Sequence, residues 1–262
     1  MATWAFACTA SLVPGVRGDM VYRVRLAKLE EIMFVSHLGT MRAFERAVRR
    51  AGLPVAYSSG YHPHPKISFA TALGVGMTSE AEYVDIELTD ALGSRAVLTA
   101  LTRALPPGLR ILAAATVRVD SRTGLASGIR WASYTVPLGA GSAAATAVAI
   151  ERFMAMNALE VVLEGKAGAK TVDIRPLVRC AALARAAAGA GDEGGADSFE
   201  FTIACGGRAH LRPGDFIAAI QRIAGECTGT EGAPVHRTGL FFEFGNELVE
   251  PLAHECTDLV RS

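Results

Sequence analysis

Three histidines lie close together in the first quarter of the chain: His37, His62 and His64. Three imidazoles can bind zinc, and a single one can act as a general acid or base in RNA cleavage. Metal binding is not expected from this spacing. Pro63 separates His62 from His64, an extended segment presets no tetrahedral geometry, and no acidic ligand stands beside them. His37 is the one candidate catalytic residue, although a hydrogen bond at a helix start, or contact with a ligand at the free N–H groups of a first turn, suits it better. The stretch His62-Pro63-His64-Pro65-Lys66 reads as a stiff recognition loop. His210, His236 and His254 are isolated and read as structural. Around the first three histidines stand Arg42, Arg46, Arg49, Arg50 and Lys66, interleaved with Tyr57, Ser58 and Tyr61. Guanidinium forks grip phosphates and tyrosine rings offer stacking surfaces, which is what RNA binding needs. The bland reading of the same residues is a solvated helix face, with Glu45 pairing Arg49 at i+4.

The elements that must position these residues follow from periodicity. Residues 21–26 (VYRVRL) alternate as a half-buried strand. Ser36 stands at an N-cap position, and residues 37–51 form an amphipathic helix with Met41, Phe44, Val48 and Ala51 on one face and the four arginines on the other. Gly52 and Pro54 end it. Residues 55–66 read as an extended loop, 67–73 and 82–88 as strands, 91–105 as a helix capped by Asp90, and 109–117 as a strand. The second half repeats the plan less clearly. Strands are expected at 131–138, 199–205 and 235–244, helices at 143–156 and from Pro213 to 224, and irregular extended pieces at 159–163 and 171–183. Residues 186–197 read as an Ala/Gly/acidic loop. Asp173 and Arg175 suggest an ion pair or an element boundary. The fold class is therefore α+β, with two tandem ferredoxin-like (βαββαβ) domains at 21–120 and 130–246. Residues 1–20 are expected to be a loose extension, with Met20 as a possible start, and 247–262 a tail.

The chain has 262 residues, half of them hydrophobic, with 26 basic and 26 acidic side chains. This excludes a disordered chain and any global pull toward polyanions. The charge is nonetheless uneven. Residues 1–118 hold 13 Lys/Arg against 9 Asp/Glu, and residues 119–262 hold 13 against 17. Arg23 and Arg25 extend the basic stripe along the first strand. Five scattered cysteines without a CxxC pair argue against a disulfide framework, a zinc site or an iron–sulfur cluster, and fit reduced cytoplasmic thiols. Nucleotide-binding, hydrolase and metalloprotease motifs are absent from the sequence, so no cofactor is expected. The longest apolar runs are too short to span a bilayer.

The stretch FVSHLGTMRAFERAVRRAGLPVAYSSGYHPHPKISFATALGVGMTSEAEYVDIEL closely resembles the radical SAM-linked family of bacterial proteins, as does LPPGLRIL at 105–112. LRPGD at 211–215 and HRTGL at 236–240 are similar to the family's later motifs. The sequence departs from that pattern at Gly39, where Asp is usual, at Met33, where a basic residue is common, and at Tyr61-His62, where Phe-Asn is common. The resemblance implies association with a radical SAM protein encoded nearby, which accords with the lack of cluster cysteines here. It implies no settled activity.

Three functions follow as expectations. The first is a non-catalytic accessory protein that presents RNA (tRNA or rRNA) to a radical SAM partner, held by Ser36, His37, Arg42, Arg46, Arg49, Arg50, Tyr57, Ser58, Tyr61, His64 and Lys66. The second is a docking module for that partner with no RNA contact. The third is a metal-independent RNA-processing enzyme using His37. Membrane association is expected in none of them.

Overall fold

The computed structural model describes residues 12–117, 124–165, 168–185, 197–207, 209–225, 230, 232–253 and 256–262. The chain is α+β, and most of its strands join one large, mostly antiparallel sheet. In the first half the elements are β1 (Leu12–Lys28), α1 (His37–Arg50), β2 (Ile67–Phe69), β3 (Met77–Leu92), α2 (Ser94–Ala104) and β4 (Leu109–Val117). In the second they are α3 (Leu125–Gly128), β5 (Ile129–Pro137), α4 (Ala143–Ala155), β6 (Glu160–Gly165), β7 (Gly168–Asp173), β8 (Val178–Ala184), β9 (Ser198–Ala204), α5 (Pro213–Ala224), β10 (Val235–Phe244), β11 (Glu247–Val249) and β12 (Cys256–Arg261). The large sheet runs β12-β4-β1-β3-β10-β5-β9-β8, with β2 added to β3 and β11 to β10, while β6 and β7 form a separate hairpin.

Alternation in β1 and β3 places Tyr22, Val24, Leu26, Val84, Ile86 and Leu88 in one core with Phe44 and Val48 of α1 and Val97 and Leu101 of α2. Burying such apolar area is the main force holding the helices to the sheet. The second core gathers Phe199 and Phe201 of β9, Phe153 of α4, Phe216 of α5 and Leu240 of β10. Tyr22 fastens the far end of the first core. Its hydroxyl accepts from the Leu92 N–H at 2.7 Å and donates to the Leu92 carbonyl. Tyr22→Phe strands both groups in a dry interior. It is expected to cost about 1–3 kcal/mol, read as a lower denaturant midpoint at unchanged slope.

Several elements differ from the sequence reading. The first strand begins at Leu12 rather than at Val21. The helix expected to start after Asp90 starts at Ser94 with Gly93 at its N-cap. Asp90 instead lies in β3, opposite Arg17 of β1, so its backbone belongs to the ladder. The strand expected over 67–73 stops at Phe69. Beyond it the Ala72 carbonyl accepts from a guanidinium, that of Arg237, instead of a neighbouring strand. The segment 247–262 carries β11 and β12, and β12 adds to β4 of the first half. Residues 1–11, 118–123 and 186–196, where an extension, part of a domain boundary and most of a loop are expected, lie outside the described residues. Asp173 and Arg175 form an element boundary. Asp173 accepts from the N–H groups of Leu159 and Arg175, and the Arg175 guanidinium donates to the carbonyls of Met154, Met156 and Val178. Among the described residues no helix is long and apolar enough to cross a membrane.

Candidate functional site

Ser36 caps α1 as its sequence position predicts, accepting from the Gly39 N–H at 3.2 Å. From this start Arg42, Arg46, Arg49 and Arg50 all point to solvent. No ion pair joins Glu45 to Arg49 among the described residues; the two side chains instead line a shallow recess of about 90 Å³ with Tyr57 and Pro65. Arg50 donates to the Ala104 carbonyl at 2.7 Å, which ties it to the end of α2. The loop after α1 is closed at its neck. Ser58 N–H donates to the His64 carbonyl at 2.9 Å, His64 N–H to the Ser58 hydroxyl at 3.0 Å, and Lys66 N–H to the Ala56 carbonyl at 2.8 Å. Tyr57, Tyr61, His62 and His64 are exposed on it, and the Tyr61 ring meets His62 edge-on. The Lys66 ammonium is bonded to the Glu87 carboxylate, so its charge is locally balanced.

Two arginines of the expected basic stripe are not on a basic surface. Arg23 is buried and grips Asp85, directly opposite on β3, through two bonds of 2.8 Å, with a third to the Pro251 carbonyl. Arg25 donates to the Glu80 carbonyl and lies 3.5 Å from Glu250. Alternation suggests solvent for both, but the residues around 250 cover that side of β1.

His37 turns inward. Its ring packs edge-on against Phe69, 5.6 Å between centroids. Behind it lies an ionic centre that spacing in sequence did not reveal. Lys28, Glu82 and Arg237 are 2%, 5% and 3% exposed. Arg237 donates to the Glu82 carboxylate at 3.0 Å, to the Thr71 hydroxyl at 3.2 Å and to the Ala72 carbonyl at 3.0 Å. Its guanidinium also lies over the Tyr134 ring. Lys28 donates to the carbonyls of Met33 and Val35, both at 2.9 Å, and so holds the turn that leads into α1. The local consequences are directional. Burial lowers the pKa of His37, and the Arg237 and Lys28 charges lower it further against the pull of Glu82. Burial lowers that of Lys28 and raises those of Tyr134 and Cys205. Burial works against the charge on Arg237, but Glu82, Tyr134 and Cys205 together outweigh it and push its pKa up.

A depressed imidazole pKa has a defined sign in stability. Below the ordinary value of about 6.5 the unfolded chain takes up the proton more readily than the folded one, so stability falls as pH drops through and below that value. Melting temperatures measured from pH 7.5 downward should show this loss, and His37→Phe should flatten part of it. An unchanged profile in the variant would show that His37 does not contribute.

Beside this centre opens a cavity of about 500 Å³ at the seam between the halves. Arg237, Tyr134 and Met77 form part of its wall, and His210 and Arg212 stand exposed at its edge. It also meets the start of α5, where Pro213 is the first helical residue. Partial burial lowers the His210 pKa, and the guanidinium groups of Arg212 and Arg237 lower it further, while Asp215 opposes them. His236, by contrast, is fixed at 2.8 Å from the Thr78 hydroxyl. His254 lies outside the described residues.

A family model described as an uncharacterized protein conserved in bacteria (DUF2344) matches residues 21–213. The chain belongs to this family. The DUF2344 match takes in α1, the 55–66 loop, Lys28, Glu82 and Arg212, and ends before Arg237. No curated protein matches the sequence. Glu82, Arg212 and Arg237 sit inside the motifs SEAEY, LRPGD and HRTGL, which was the available signal, whereas Lys28 and His210 lie outside them.

Proposed function

We propose that this DUF2344 protein is a non-catalytic accessory protein that presents RNA to a radical SAM enzyme, and that its two halves are ferredoxin-like units built for that task. The observation that carries the RNA reading is the shared recess of Arg49 and Tyr57, with Arg42 and Arg46 exposed on the same helix and Tyr61 on the same loop. Phosphates seat on the guanidinium groups while bases stack on the tyrosines, a combination that tolerates many sequences. His37 supports a structural part rather than a cutting one, since its ring is packed against Phe69. Filter binding with total tRNA and rRNA over a range of salt tests the reading. The expected result is binding that weakens steeply with salt. Absence of binding at low salt removes the RNA half.

A second reading rests on a different observation. Phe34, Leu38 and Val75 are 75%, 53% and 60% exposed. The Phe34 and Val75 segments adjoin, because the Gly76 N–H donates to the Met33 carbonyl at 2.9 Å. Exposed large apolar side chains gathered in this way suit a protein partner, here the radical SAM enzyme. Co-purification that survives nuclease and is lost in Phe34→Ser with Leu38→Ser would favour docking through this patch.

A further inference from the structure

Beyond the basic face of α1, we infer that the cavity at the seam is a binding site for a small organic oxyanion, a phosphate ester or carboxylate carried on an apolar body. Four observations support this. The cavity's size, about 500 Å³, is that of a small-molecule site. Much of its wall is apolar, from Ala70, Leu73 and Met77 to the Tyr134 ring. Arg237 lines it while 3% exposed, and its Nε has no hydrogen-bond partner among the described residues. The start of α5 meets the cavity, with Arg212 at the N-cap and His210 beside it. Pro213 has no N–H and the Asp215 N–H is bonded to the Arg212 carbonyl at 3.1 Å, so the helix end contributes its dipole, while a guanidinium fork binds oxyanions in two-pronged fashion.

Charge balance points the same way. Two buried cations, Lys28 and Arg237, face one buried carboxylate, Glu82. Cys205 and Tyr134 supply no negative charge at neutral pH, because burial pushes both their pKa values up. At the edge Arg212 and Asp215 carry opposite charges around His210, whose lowered pKa leaves it neutral at neutral pH, so the surplus lies inside. An interior with surplus positive charge is costly unless an anion approaches it.

The test uses the intact chain and four probes followed by calorimetric titration: phenyl phosphate, benzoate, inorganic phosphate and benzyl alcohol. Phenyl phosphate or benzoate should bind, whichever is tighter naming the oxyanion, and the other two should bind more weakly. Arg212→Glu alters an exposed side chain that donates to the Glu164 carbonyl at 3.0 Å, and it should weaken the favoured anion about tenfold or more while the free protein stays folded with a melting temperature lowered only slightly. Met77→Trp fills the cavity and should abolish binding of that anion while leaving RNA affinity as it was. The inference is overturned if neither organic anion binds at millimolar concentration, if inorganic phosphate or benzyl alcohol binds as tightly, or if Arg212→Glu has no effect. Because RNA is read separately, failure here leaves the α1 surface untouched, and failure of RNA binding leaves the cavity site standing.

Discussion

Glu82→Ala is expected to melt roughly 10 °C below the native chain. The carboxylate is 5% exposed and 3.0 Å from Arg237. Removing it leaves a guanidinium and an ammonium in a dry region with nothing to balance them. Breaking a buried pair from one side typically costs about 3–5 kcal/mol. For a chain of this size each kcal/mol moves the melting point by about 2–4 °C. Glu82→Gln retains an acceptor for the Arg237 N–H but not the charge, so it should fall between the two. Calorimetry on the three proteins checks the order. A Glu82→Ala midpoint within a couple of degrees of the native one would mean that the cations relax to water, and the ionic centre would lose its structural meaning.

Reversing the charge of Arg42, Arg46 and Arg49 together is expected to lower RNA affinity about a hundredfold near 0.1 M salt. Each phosphate contact with a single strand contributes about 0.7 to the slope of log affinity against log salt, so three contacts account for about two decades between 1 M and 0.1 M. The slope itself should shrink by about two. Arg50 is left in place because its bond to Ala104 serves α2. All three side chains are exposed, so folding should be preserved and near-native melting is the control. An unchanged slope in the triple variant would place the RNA, if any is bound, elsewhere.

The parts of the fold governed by local pattern were legible. Helix α1 announces itself through a Ser cap, an apolar stripe at helical spacing and a Gly–Pro stop, and β10 and α5 begin where Val235 and Pro213 suggest. The parts governed by distant pairing were not. Asp90 resembles a helix cap, but the ladder with Arg17 claims its backbone. Arg23 and Arg25 alternate like solvent-facing residues, and only the return of the chain near Pro251 covers them. Lys28, Glu82 and Arg237 are far apart in sequence and meet because β1, β3 and β10 lie side by side. The exposed arginines and tyrosines of the proposed surface needed no such meeting to be noticed. Lys66 was legible too, but its pairing with Glu87 of β3 was not.

Where β3 runs alongside β10 the two strands are parallel, and the register spans only Val235 to Arg237 against Met77 to Ser79. This joint is a few residues long, distinct from the one that β12 makes on β4, and the guanidinium at its end is both a rung of it and a wall of the neighbouring hollow. Any swing of one half against the other must stretch the grip on Glu82 and reshape the hollow in the same movement. An anion bound there would therefore brace this joint as it fills the hollow.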